Sequence, residues 1–245
     1  MSALTVMTKN EGRLFLREPA AVFWSLAFPI GLLIIFGLIP AFRDTDPDTG
    51  LRLINTYTPT LLLMAMTFLA VSGLPTTLTT YRERLILKRL ATTPIGRSKM
   101  LAAQLLINLI FAAVMIVAVI VIARLAFDVP LADNIVGYLL SLILIAVVLL
   151  SLGLLVASIA KTAKVATAVG TILFFPLMFF AGLWIPIQAM PKTLATISEY
   201  TPLGAATRCL EAAASGGWPQ IGHVGVLVAY IVVFGGIAVK TFRWE

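Results

Sequence analysis

Apolar positions run along this chain in long blocks, with neither the strict alternation of a half-buried strand nor the narrow stripe of a surface helix. Six blocks stand out: Ala20–Phe42, Tyr57–Thr80, Met100–Ala123, Ile135–Ile159, Val165–Trp184 and Ile221–Val239. A helix rises 1.5 Å per residue, so about 20 residues cross the roughly 30 Å hydrocarbon layer of a bilayer. Each block is long enough, and none contains Asp, Glu, Lys or Arg. The pattern predicts an all-α polytopic membrane protein with six transmembrane helices in a single domain covering residues 1–245.

The intervening segments carry the rest of the plan. Residues 1–19 mix charges with Leu4, Val6, Met7, Leu14, Phe15 and Leu16, as expected of a cytoplasmic interfacial helix that bends at Pro19 into the first span. Residues 42–52 are polar, contain Pro47 and Gly50, and read as an exposed hairpin. Residues 184–221 are long yet still apolar, and are punctuated by Pro186, Pro191, Pro202 and Pro219. Pro favours a first helical turn. Pro191 therefore opens one short helix, with Leu194 and Ile197 on a face. Pro202 opens another, with Leu203, Ala206 and Leu210, ending at Gly216–Gly217. Both are too short to span. The segment either lies in the outer interface or dips back as a re-entrant hairpin. Gly153 and Ala157 form a small-xxx-small pair suited to close helix packing, within a subunit or between two.

Composition sharpens the picture. The chain of 245 residues is 60% hydrophobic and only 12% charged, well below the quarter expected of soluble domains. Its net charge of +7 would suggest nucleic acid in a soluble protein, but here the placement of the charge matters more, and no nucleic-acid partner is expected. Thirteen Lys and Arg fall on one side: Lys9, Arg13 and Arg17, six in 81–99, Lys161 and Lys164, and Lys240 and Arg243. Only five, Arg43, Arg52, Arg124, Lys192 and Arg208, fall on the other. The positive-inside rule puts the first set and both termini in the cytoplasm, and the expected location is a plasma (inner) membrane. Trp24 and Trp244 then sit near the inner interface, with Trp184, Trp218, Tyr57 and Tyr138 near the outer one. The first block exceeds the 7–15 residue core of a signal peptide, and no small-residue cleavage site follows it.

Several chemistries are missing. Uncharged spans argue against an ion-coupled transporter and against an intramembrane enzyme with paired carboxylates. Cys209 is the only cysteine and His223 the only histidine, so no disulfide or metal site is expected. There is no G-x-x-x-x-G-K-[ST] loop, so energy for uphill transport must come from another polypeptide. The basic segment 81–99 is either a topology anchor or the surface on which that polypeptide docks. Its Leu85, Ile86, Leu87 and Leu90 spread around the helix rather than forming one face. Glu83 is its single acid, placed to pair with Arg84 or with a basic partner residue.

Two stretches resemble the membrane subunit (permease) of type-2 ABC exporters. "YRERLILKRLATTPIGRSKMLAAQLL" is similar to that family's charged coupling region. "FPLMFFAGLWIPIQAMPKTLATISEYTPLGAATR" resembles its late signature, with Pro176, Gly182, Pro186, Pro191 and Pro202. The plan of lead-in helix, six spans and outer half-helices is similar too. One departure is visible: many relatives have a Glu-x-Gly-Thr-like step in the coupling region, where this chain has Leu85–Ile86–Leu87 and no Gly. The resemblance implies a permease that binds no cofactor itself. It implies two copies of an ATP-binding ABC subunit carrying ATP and Mg²⁺, and a second membrane subunit, identical or homologous. Tyr81, Arg82, Glu83, Arg84, Leu87 and Arg89 would then couple to the ATPase, with Ala160–Lys164 as a lesser element. Phe28, Phe175 and Phe179 are candidates for the path of a hydrophobic drug or lipid-like substrate. The competing reading is a stand-alone six-span channel or membrane assembly factor.

Overall fold

The structure, a computed structural model, describes residues 3–45, 52–91 and 96–241. Most of the expected hairpin at 42–52, the Leu90 side chain, and Arg243 and Trp244 in the tail lie outside what it describes. The elements in chain order are α1 (Ala3–Leu16), α2 (19–38), α3 (Pro40–Arg43), α4 (Leu53–Glu83), α5 (Ile86–Ala91) and α6 (Gly96–Phe127). They are followed by α7 (Ile135–Ile159), α8 (Ala163–Phe180), α9 (Lys192–Glu199), α10 (Pro202–Ala214) and α11 (Ile221–Thr241). Among the described residues the only β-type pairing is an isolated bridge between Thr45 and Arg52.

Five helices, α4, α6, α7, α8 and α11, are long and apolar enough to cross a bilayer. The first expected span is shorter than Ala20–Phe42, with its apolar helix running Phe23–Leu38. Ile39 breaks it with φ −80° and ψ 119°, because the ring of the following Pro40 disfavours the helical conformation in the residue before it. α8 likewise stops at Phe180, short of Trp184, in a turn where Gly182 takes φ +89°. α4 runs past the expected end at Thr80 and draws Tyr81, Arg82 and Glu83 into the helix.

α4 is the centre of the bundle and packs on α2, α6, α7, α8 and α10. Leu61, Leu62, Leu63, Met64 and Ala65 are all buried, so this helix is covered on every side. Of its most apolar window 72% is buried, against 11% for α11, which lies at the periphery on α7. The outward faces of α6, α7 and α11 expose Val117, Ile143, Val232 and Val239. A contiguous belt of this kind is tolerated in lipid and not in water.

Two irregularities shape α4. Pro75 has no N–H, so carbonyls one turn earlier lose their donor, and the helix widens into a π-turn over Leu69–Gly73. The carbonyls of Ala70 and Val71 are met by glycines from neighbouring helices. A Cβ on Gly153 of α7 would stand 2.2 Å from the Ala70 oxygen, and one on Gly170 of α8 would stand 2.3 Å from the Val71 oxygen. Bare Cα atoms allow this approach and offer weak C–H donors to the carbonyls. The small pair Gly153/Ala157 therefore serves packing within the subunit.

The segment between α8 and α11 forms two short helices, as its prolines predicted. Pro191 immediately precedes α9, and Pro202 is the first residue of α10, capped by Thr201 Oγ1, which accepts from Gly204 N at 3.1 Å. Leu203, Ala206, Cys209 and Leu210 are buried against the bundle, whereas Ile197 on α9 stays exposed. The last carbonyls of α8, which a helix end leaves without intrahelical donors, are taken up here. Ser198 Oγ donates to Phe180 O at 2.7 Å, and Thr207 Oγ1 donates to Ala181 O at 3.0 Å.

Candidate functional site

Three consecutive residues at the C-terminal end of α4 each reach a different element. The Tyr81 hydroxyl donates into the Glu11 carboxylate of α1, 2.8 and 2.7 Å from its two oxygens. Gln104 of α6 donates to the same carboxylate. Glu11 is buried. Desolvation raises its pKa above the ordinary 4.5, and the hydrogen bonds from Tyr81 and Gln104 oppose that shift. Sequence reasoning counted Glu11 only as one more acid on the lead-in helix, and nothing local marks it as buried.

Arg82 and Glu83 hold the short turn between α7 and α8. Arg82 donates to Ala157 O at 2.8 Å and to Ala160 O at 3.1 Å, at the C-terminus of α7. Glu83 accepts from Ala163 N, the first residue of α8, at 3.2 Å. A cation at a helix C-terminus and a carboxylate at a helix N-terminus both match the helix dipole. Adjacent residues of opposite charge thus clasp the two helix ends on either side of one turn. Glu83 was expected to pair with Arg84 or with a basic partner residue; within this chain its carboxylate caps α8. The structure brings together the two regions that the resemblance marked as coupling elements, Tyr81–Leu90 and Ala160–Lys164.

The remaining candidates in this region separate by exposure. Leu87 is buried against Tyr81, Met100 and Met7, so it is a core residue of the α5–α6 corner rather than a free docking side chain. Arg84 and Arg89 are exposed. Leu85, also exposed, joins α4 to α5 with φ 55°, a left-handed conformation that costs a branched residue far more than glycine. It falls in the stretch where the resemblance leads one to look for a Gly.

Beside this junction a groove opens between α2, α4 and α8. It encloses about 440 Å³ and is lined by Phe15, Trp24, Phe68, Phe174 and Phe175, by hydroxyls including Ser72, Thr76 and Thr171, and by Glu18 at the α1–α2 bend. Its rings form a connected series. Trp24 stacks on Phe68 at 5.5 Å, Phe68 meets Phe174 edge-on at 5.1 Å, Phe174 meets Phe175 at 6.0 Å, and Phe175 stacks on Trp184 at 6.0 Å. A second, more polar groove of about 430 Å³ adjoins it, sharing Phe15, Glu18, Gly73 and Thr76 and adding Arg17, Arg84 and Gln104. Of the path candidates Phe175 lines the aromatic groove. Phe28 borders it through Trp24 at 4.9 Å, and Phe179 packs edge-on against Phe180 at 5.2 Å. Phe15, Glu18 and Phe68 were not expected here, because only the folded bundle brings α1, α2, α4 and α8 to one groove. Among the described residues no cluster of three or more His, Cys, Asp or Glu is placed to hold a metal.

A helical bundle with a lipid-facing apolar belt and spanning helices defines a multi-pass membrane protein. The chain belongs to the ABC-2 type transporter family, whose model matches residues 2–213. It is a permease subunit of an ABC transporter, and membership implies partnership with an ATP-binding subunit. No curated protein matches the chain.

Proposed function

We propose that this permease exports a hydrophobic or amphipathic molecule, drug-like or lipid-like, and that its ATP-binding partner drives it through the inner end of α4. In this reading Phe23–Leu38 joins the five longer helices as a sixth span. Both termini lie in the cytoplasm of a plasma-membrane protein, and α9 and α10 pack back from the outer face. Two ATP-binding subunits carry the ATP and Mg²⁺. A second membrane subunit, identical or homologous, completes the pathway.

The observation that carries this reading is the Tyr81–Arg82–Glu83 junction. A push on α5 or on the 160–164 turn reaches α1, α4, α7 and α8 together. α4 and α8 are also walls of the aromatic groove. A small rigid-body displacement at such a junction biases a packed bundle between two arrangements. The test is to purify the chain with its soluble partner in mild detergent and reconstitute both in liposomes. The reading expects a protein with a G-x-x-x-x-G-K-[ST] loop to co-purify, and a hydrophobic dye to move only when ATP is hydrolysed. A chain that purifies alone and passes solutes without ATP would favour the channel reading.

A further inference from the structure

The aromatic groove carries one feature that a neutral hydrophobic ligand would not require. Among the described residues Glu18 is the only ionisable side chain lining it, and it stands at the bend between α1 and α2, exposed to an incoming molecule. Among the described residues it forms no ion pair. The other lining groups are aromatic rings, whose faces carry negative quadrupole charge, neutral hydroxyls, and the apolar Ala21 and Leu69. The ring faces favour a positive ligand, and the hydroxyls can turn a lone pair towards one. The volume of about 440 Å³ falls in the range of about 300–1,000 Å³ typical of small-molecule sites. The basic side chains nearby, Arg17 and Arg84, line the adjoining polar groove and not this one. The second acid of that polar groove, Glu11, is already engaged by Tyr81 and Gln104.

We propose that the groove between α2, α4 and α8 binds a lipophilic organic cation, with its charge at Glu18 and its apolar body against Trp24, Phe68, Phe174 and Phe175. This rests on the exporter reading and narrows its substrate class. Among the described residues these walls offer an anionic amphipath no basic group, and a neutral one gains no charge pairing at Glu18.

The experiment uses the full chain with its ATP-binding subunit in nanodiscs and two probes of nearly equal shape, tetraphenylphosphonium and tetraphenylborate. Saturable binding of the phosphonium is expected, with little binding of the borate beyond what lipid alone takes up. Glu18→Gln should weaken phosphonium binding about threefold to tenfold, and Glu18→Lys should abolish it and favour the borate. Trp24→Leu should weaken it while leaving the preference of sign intact. Equal binding of both ions, or phosphonium binding unchanged in both Glu18 variants, would overturn the proposal. ATP-driven dye transport in a complex that does not bind the phosphonium would overturn it while leaving the exporter reading standing. Glu18-dependent binding without any ATP-driven movement would do the reverse.

Discussion

Replacing Gly153 with Ala tests how the irregular centre of α4 is held. The added methyl would stand 2.2 Å from the Ala70 carbonyl oxygen, closer than the 3.0 Å below which Cβ atoms are essentially never found. The obstacle is backbone, and Ala70 and Val71 are buried, so no side-chain rotation relieves it. α7 must retreat from α4 by the better part of an ångström. Overpacking of this kind costs about 1–3 kcal/mol, and the retreat forfeits a C–H···O contact worth about 0.5–1 kcal/mol. Alanine returns about 1 kcal/mol through its better helix propensity, so the net loss is about 0.5–3 kcal/mol. Gly170→Ala, at 2.3 Å from Val71 O, should behave alike. Gly225 on α11 supplies the control, since a Cβ there meets nothing within 4 Å and should collect only the propensity gain. Thermal unfolding followed by size-exclusion chromatography in detergent reads the difference. At about 2–4 °C per kcal/mol for a chain of this size, Gly153→Ala and Gly170→Ala should melt about 1–12 °C lower and Gly225→Ala slightly higher. If Gly153→Ala and Gly170→Ala melt at or above the parent, the close approach of these glycines to the α4 carbonyls is refuted.

Other consequences follow from α1, the α4–α5 turn and α10. Burial raises the Glu11 pKa, so the docked form of α1 holds its proton more tightly than the undocked form. Docking should be strongest below about pH 4.5 and weaken as pH rises through the raised value. Hydrogen exchange of α1 across that window should show the trend, Glu11→Gln should flatten it, and an equal slope in both would sink it. Leu85→Gly relieves the positive φ and should stabilise the α4–α5 turn by up to about 1 kcal/mol; a destabilised variant would show that the Leu85 side chain outweighs the strain. Thr207→Val leaves the Ala181 carbonyl with only the longer Thr60 bond at 3.4 Å, and should cost about 1 kcal/mol by thermal unfolding; no change would mean that water or lipid replaces the hydroxyl.

The spanning helices were legible because lipid demands unbroken apolar blocks, and the sequence shows them without ambiguity at α4, α6, α7, α8 and α11. The two short helices α9 and α10 were legible because Pro191, Pro202 and Gly216 punctuate them. The end of the first span was not, since hydropathy ignores the local clash that Pro40 imposes on Ile39. The C-terminal end of α4 was misjudged for a related reason. Tyr81, Arg82 and Glu83 are polar and so look like loop, yet they continue the helix because their side chains find partners on α1, α7 and α8. Those partners lie about 70 to 80 residues away in sequence, and no spacing rule reaches that far. The groove was half-visible: Phe175 could be suspected from span 5 alone, but Glu18 and Phe68 join it only through packing.

The proposed export requires that the α4 junction transmit the partner's ATP cycle to the groove. The most direct measurement is the number of dye molecules moved per ATP hydrolysed, in liposomes containing the permease with its ATP-binding subunit. It should be compared between the parent and a chain carrying Arg82→Ala and Glu83→Ala, which releases the 160–162 turn from α4. The account predicts that the assembled complex still forms and hydrolyses ATP while transport per ATP falls severalfold. An unchanged ratio in a fully assembled complex would show that the drive reaches the groove by another route.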